Sequence, residues 1–355
     1  MTVGRVACLL AIAISCTVHA QTVKLPIKTP IKGLVSMGAY RFVADGGQPD
    51  NTLWPLYRAP KIFGGIVIVA TWAELQPSKG NLPEHTSIDR ALAAVREYNG
   101  VNPDAPLAVK LRVWGGFEAP AWATTLDGEQ PVAVTFNNKP RTLGHAWRSE
   151  YRNAWRDFQA LLAARYDNDP LIHEVAVTSC MTFTAEPFFV PDDPTVLQTL
   201  HKAHFTNEDY RACLKGAVED YAGWKATRVE FPFNPFSEMD DSGHITPRLE
   251  FTHEVMRDCR VRLGERCTLD NHDLNVPPLK SVEVLYTEMR ALGGPIEFQT
   301  FYETPDFYEG TIAYGVGLGA GSIELWQDYK GFPDVPVETL KQWASFFDTA
   351  TVKKR

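Results

Sequence analysis

The chain has 355 residues, 45% hydrophobic and 22% charged, which is ordinary globular composition with enough apolar material for a large core. Its formal net charge is −8. Apart from Lys353, Lys354 and Arg355 no basic stripe is present, so nucleic acid is excluded as an expected partner.

The first twenty residues read "MTVGRVACLLAIAISCTVHA". Arg5 supplies a positive start, residues 6–14 form an apolar run too short to span a bilayer, and "VHA" places small residues at a cleavage spacing. The reading is a signal peptide over residues 1–20, cut after Ala20, and an exported mature protein, periplasmic or secreted. "AISC" around Cys16 is a poor match to a lipoprotein site. No later stretch is long and apolar enough for a transmembrane helix. Of six cysteines, Cys8 and Cys16 lie in the leader, and Cys180, Cys213, Cys259 and Cys267 lie beyond it. In an oxidising compartment they allow up to two bridges, in any of three pairings. Cys259 with Cys267 is the preferred pair; free buried thiols are the alternative. The absence of CxxC argues against a cysteine metal site.

From Leu34 onward, short β-type runs alternate with amphipathic stretches. The strand candidates are "LVSMGAYRF", "GGIVIVATW", "LAVKLRVWGG", "HEVAVTSC", "RVEFPFN", "CTLDNHDL", "PIEFQTF" and "SIELWQDY". Helical patterns lie between them. "SIDRALAAVREYN" has Ser87 as its expected N-cap, and "LKSVEVLYTEMRALGG" ends on a glycine pair suited to a C-cap. The others are "EYRNAWRDFQALLAARY", "NEDYRACLKGAVEDYAGW", "RLEFTHEVMRDCRVRL" and a closing "PVETLKQWASFFDT". Parallel neighbours require crossovers, so eight such units predict a (β/α)₈ TIM barrel, a single domain over residues 21–355. A doubly wound sheet would need a phosphate-binding glycine loop after an early strand. "GVGLGAG" comes late, before a strand, and reads as a tight helix-to-strand turn.

Side chains alternate across a strand, so one face meets the helices and the other fills the barrel. In "LAVKLRVW" the apolar face is Leu107, Val109, Leu111 and Val113, and Lys110, Arg112 and Trp114 then point inward. The same alternation sends Glu230 and Asn234, Glu297 and Gln299, and Glu324 and Trp326 inward. Buried charges persist only when paired. Lys110, Glu230 and Glu324 are expected deep in an ion network. Arg112 and Glu297 are expected near the C-terminal strand ends, where barrel active sites are built.

Glu186, in "SCMTFTAEPFF" past the fourth strand, has Phe183, Phe188 and Phe189 around it. An apolar setting raises a carboxyl pKa, as a general acid requires. Glu297 on strand seven would face it across the mouth, kept ionised by Arg112. Two carboxylates with opposed shifts suit retaining glycoside hydrolysis, one protonating the leaving oxygen and the other attacking the sugar. Trp72, Trp114, Trp122, Tyr302 and Trp326, near strand ends, offer flat faces for sugar rings.

These residues resemble the clan A glycoside hydrolases, retaining (β/α)₈ enzymes with the acid/base after strand four and the nucleophile on strand seven. "TWAELQPSKGNL" is similar to that clan's strand-two segment, "LRVWGGFEAPAW" to its strand three, and "IELWQ" to its strand eight. "TAEPF" matches the acid/base position at Glu186, and "PIEFQT" the nucleophile strand at Glu297. The resemblance spans about residues 34–347. It implies a carbohydrate substrate, an oligo- or polysaccharide, with no cofactor and no metal. Trp72, Arg112, Trp114, Asn234, His272, Tyr302 and Trp326 would bind the substrate. The clan carries Asn directly before the acid/base; here that position is Ala185, with Asn234 and Asn271 as replacements.

His272 in "LDNHDL" is expected inward with Asp270, orienting Glu297 or binding substrate. Glu303 is the reserve nucleophile and Glu118 a reserve acid; Glu309 also follows strand seven. His201 and His204 in "HKAHF" lack an acidic co-ligand, so no metal is expected there. No GxSxG elbow is present. The competing readings are a non-catalytic carbohydrate-binding barrel, which Ala185 favours, and a polysaccharide lyase.

Overall fold

The computed structural model describes residues 26–37, 56, 59–136, 138–181, 186, 194–240, 242, 244–301, 307–326 and 335–352. The expected signal peptide lies outside them. Eight strands form the sheet: β1 (Gly33–Ser36), β2 (Phe63–Thr71), β3 (Ala108–Trp114), β4 (Ile172–Ala176), β5 (Arg228–Pro232), β6 (Cys267–Asp270), β7 (Glu297–Gln299) and β8 (Ser322–Leu325). Five fall inside a run singled out by its β-branched and aromatic residues, and β1, β2 and β4 begin one residue before theirs.

All seven laddered pairs are parallel, in the order β6–β5–β4–β3–β2–β1–β8–β7. The remaining seam, β7 to β6, is joined by the bridges Leu269 to Ile296 and Leu274 to Thr300. The Gln299 N–H also donates to the Asn271 carbonyl at 2.9 Å. The result is a nearly closed (β/α)₈ barrel.

The helices outside it are α1 (Ser87–Val101), α2 (Ser149–Tyr166), α3 (Pro194–Lys202), α4 (Asn207–Asp220), α5 (Leu249–Leu263), α6 (Lys280–Leu292), α7 (Tyr308–Leu318) and α8 (Val337–Val352). Their ends follow local chemistry. Thr86, one residue before the expected Ser87, caps α1: its hydroxyl accepts from the Asp89 N–H, and the Asp89 carboxylate accepts from the Thr86 N–H in return. Gly293, at φ 64°, ends α6 where a side chain would be strained. "GVGLGAG" does make the expected turn, leaving α7 through Gly319 and entering β8 at Ser322. Two small hairpins, Val132–Phe136 with Lys139–Leu143 and Ser237–Met239 with Ile245–Pro247, are inserted after β3 and β5. Among the described residues no helix is long and apolar enough to cross a membrane.

The main core lies between strands and helices. Ile66, Ile68 and Ala70 of β2 and Val109, Leu111 and Val113 of β3 are almost wholly buried there. Trp72 joins them, fully buried and ringed by Trp122, Tyr151, Trp155 and Phe158 at centroid distances of 5.1–5.5 Å. Inside the barrel Val35, Val67 and Val69 pack on Ile31 from the N-terminal approach. The β1–β2 side of the interior is therefore apolar, and strands β3–β8 supply its charges. A side chain at Gly64 would collide with the Lys32 carbonyl, so this close approach of the N-terminal segment to β2 requires glycine.

Among the described residues there are two disulfides. Cys259 bonds Cys267, as preferred from spacing, and Cys180 bonds Cys213. The second ties the exit of β4 to α4.

Candidate active site

The alternation that builds β3–β8 points Lys110, Arg112, Glu174, Glu230, Asp270, Glu297 and Glu324 into the barrel, where each is at most 1% exposed. Lys110 Nζ lies 2.6 Å from Glu297 Oε2, 2.7 Å from Glu324 Oε1 and 3.7 Å from Glu174 Oε2. Arg112 grips both Glu324 oxygens at 2.9 Å and reaches the Gln299 amide oxygen at 3.5 Å. Below them the Ile31 N–H donates to Glu174 at 3.1 Å.

The two cations stay charged. Burial opposes this, but the surrounding Glu230, Glu297, Glu324 and Asp270 outweigh it and hold the Lys110 ammonium well above its usual pKa. Burial pushes the Glu174 carboxyl well up, with the neighbouring Glu297 adding to it. Burial raises the Glu230 carboxyl, but Lys110, Asp270, His272 and Arg112 together outweigh it and drive it well down. Glu324 is lowered for the same reason, by Arg112 first and Lys110 second. Asp270 is pushed up to about 7, by burial first and Glu230 second.

Above this tier stands His272, two residues past the end of β6 and 3% exposed. Its Nε2 lies 3.0 Å from Asp270 Oδ2 and 3.5 Å from Glu230 Oε1, with Arg112 NH2 3.3 Å away. Its Nδ1 lies 2.7 Å from Glu186 Oε1. Burial disfavours the imidazolium, but Asp270, Glu186 and Glu230 outweigh it and raise the His272 pKa well above the usual value. The Glu186 side chain is 15% exposed against 1% for His272, so it is the solvent-facing end of this chain of groups.

The structure separates the predicted site residues into two sets. Glu186, Asn234, Trp114 and Trp326 are partly open at the C-terminal strand ends. Asn234 Oδ1 accepts from the His272 N–H at 2.8 Å, and Trp326 makes an edge contact with the exposed Phe301 at 6.2 Å. The second set departs from expectation. Trp72 is wholly enclosed by other aromatics, so no sugar can stack on it. Arg112 is fully buried against Glu324, and touches neither Glu297 nor a surface ligand site. Glu297 begins β7 instead of ending it, and its partner is Lys110, not Arg112. The same strand face presents Gln299 two residues nearer the mouth, so the level of Arg112 carries an amide. His272 contacts Glu186, and among the described residues none of its contacts is with Glu297. Tyr302, Glu303 and Ala185 lie outside the described residues.

Sequence reasoning left out Glu174, although the inward face of "HEVAVTSC" would have given it. Glu230, Asp270 and His272 place one ligand atom each within 4.8 Å of one another. Arg112 and Lys110, 3.3 Å from His272 and 3.9 Å from Asp270, already neutralise that set, and its geometry is that of an ion network. A cleft of about 520 Å³ opens on the same barrel face, between the Val132–Phe136 hairpin, Phe117 and α3.

No protein-family model matches the sequence, and no curated protein does. Solved structures do resemble it. An endo-β-1,4-glucanase from Xanthomonas axonopodis pv. citri is 12% identical, with 88% of this chain and 98% of that one covered and a TM-score of 0.53. The endoglucanase Cel5A of Pseudomonas stutzeri is 12% identical over 90% and 97%, with a TM-score of 0.51. A β-galactosidase from Rahnella sp. R3 is 14% identical over 93% of this chain and 58% of that longer one, with a TM-score of 0.54. At such identities the likeness is one of fold: the chain has the (β/α)₈ architecture on which these clan A-type glycoside hydrolases are built, with no family assigned.

Proposed function

We propose that this chain is a glycosidase, cleaving an oligo- or polysaccharide at the C-terminal mouth of its barrel with Glu186 as the acid/base. The observation that carries this reading is the contact between Glu186 and His272. It fixes one partly exposed carboxylate over a sealed charged interior, on the barrel face where such enzymes work. Trp114, Trp326 and the neighbouring cleft supply apolar faces and room for sugar rings. In a retaining double displacement Glu297 would be the nucleophile, which requires it to leave Lys110 and meet an anomeric carbon.

A second reading, a non-catalytic carbohydrate-binding barrel, is favoured by one observation: Glu297 is 1% exposed and 2.6 Å from Lys110. The test is a hydrolysis screen on aryl glycosides and polysaccharides, with E186Q and E297Q in parallel and glycan binding measured by calorimetry. The glycosidase reading expects turnover by the native chain and a loss of about 10²–10⁴-fold in E186Q. Unchanged turnover in E297Q removes it as nucleophile. Glycan binding without any turnover selects the second reading.

A further inference from the structure

His272 is more than a buried histidine with a partner. One ring nitrogen faces Asp270 Oδ2 at 3.0 Å and the other faces Glu186 Oε1 at 2.7 Å. A neutral imidazole carries one N–H and can donate to only one of them. With both faces against carboxyl oxygens, the ring holds two protons, or one of the two carboxyls, Asp270 or Glu186, holds one of them. The Asp270 side chain is fully buried and the Glu186 side chain is not. The three groups thus form a line from the interior network to the mouth.

We propose that His272, backed by Asp270, is the positioning residue that holds Glu186 in place, supplies its proton before the first half of the reaction and takes it back after the second. This rests on Glu186 being the acid/base. When Glu186 is a carboxylate, His272 Nδ1–H lies on its oxygen. Transfer breaks that N–H bond and forms the Glu186 O–H bond. The electron pair stays on Nδ1, and the Nε2–H remains directed at Asp270. Glu186 then gives the proton to the departing glycosidic oxygen. In the second half it takes a proton from the attacking water, and His272 recovers it at Nδ1. No external reagent is consumed.

The surroundings fit this role from every side. Asp270 on the same segment, Glu230 from β5 and Glu186 from beyond β4 favour the imidazolium, and Arg112 from β3 opposes it. Burial pushes the Asp270 carboxyl up to about 7, so a proton can sit on either side of the Nε2 contact near neutrality.

The test is nitrogen-15 NMR of the imidazole rings in the full chain, native and E186Q. E186Q alters the partly exposed end and leaves the buried network in place. The expected result is a His272 ring protonated on both nitrogens at pH 7, with its pKa lowered by about 1–3 units in E186Q. A neutral His272 at pH 7 in the native chain, or a titration unmoved in E186Q, overturns the relay. A kinetic arm uses D270N on glycosides with leaving groups of different acidity. Relay loss lowers turnover about tenfold or more for disaccharides and alkyl glycosides but leaves 2,4-dinitrophenyl glycosides nearly unchanged, since those need no proton. An equal fall for both classes marks a merely structural role and overturns the proposal. An E186Q chain that keeps full activity overturns the acid/base assignment and this role with it. An inactive E186Q with an unmoved His272 overturns the relay alone.

Discussion

Lys110 and Glu186 each meet a group of opposite charge within 2.7 Å, and the two contacts have different consequences. Lys110 is fully sealed, with Glu297 and Glu324 at hydrogen-bonding distance and no route to water. Glu186 has one side on His272 and another toward solvent. In the interior a charge is fixed by its neighbours, because any unpaired state is very costly there. At the mouth a charge can be handed over. On the proposed reading the upper tier serves the chemistry through Glu186, and the lower tier is framework except for Glu297, which would first have to leave Lys110.

The largest way to break this contrast is Lys110→Met. It strands Glu297 and Glu324 without their ammonium, and a loss of about 3–5 kcal/mol is expected. Urea unfolding measures it, and a loss under 1 kcal/mol would mean that water reaches the tier. Next come the disulfides. Chain-entropy arguments give about 4 kcal/mol for Cys180–Cys213 and about 2.5 kcal/mol for Cys259–Cys267, from separations of 33 and 8 residues. Both Cys→Ser pairs should lower the thermal midpoint, the first by more, and only the first should also reduce turnover, since it anchors the segment that carries Glu186.

A smaller effect comes from Asp220, which Ser179 and Arg156 hold at 2.9 and 3.2 Å and which burial pushes up to about 6. A folded-state pKa above the unfolded one gives stability that is complete below the unfolded value and lost as pH rises through the folded one. The thermal midpoint should thus fall between pH 4 and pH 7, and Asp220→Asn should flatten that fall by a few degrees. The smallest effect belongs to the surface pair of Lys341 and Glu338, 2.7 Å apart and both exposed. Lys341→Ala should change stability by about 0.5 kcal/mol or less in urea unfolding.

The strands were legible because each is a short β-branched or aromatic run, and strict alternation then gave Lys110, Arg112, Glu230, Glu297 and Glu324 as interior. Four things were not. The height of Glu297 depends on where β7 starts, and that is set by pairing with β8, with Glu297 opposite Ser322. Trp72 looked like a mouth residue because it follows β2, but α2 brings Tyr151, Trp155 and Phe158 around it from eighty residues away. Helix α7 is apolar with glycines at 310, 315 and 317, so no amphipathic stripe marked it. The contact of Glu186 with His272 joins residues 86 apart, a distance that no local pattern records.

The Cys180–Cys213 bond gives the segment bearing Glu186 two attachments to the body of the protein, one through the backbone and one through sulfur. A single proteolytic nick between those cysteines would therefore leave one covalent molecule. It would migrate as full-length on a non-reducing gel and split into two fragments once thiol is added, so apparent size on that gel alone would not reveal a severed loop.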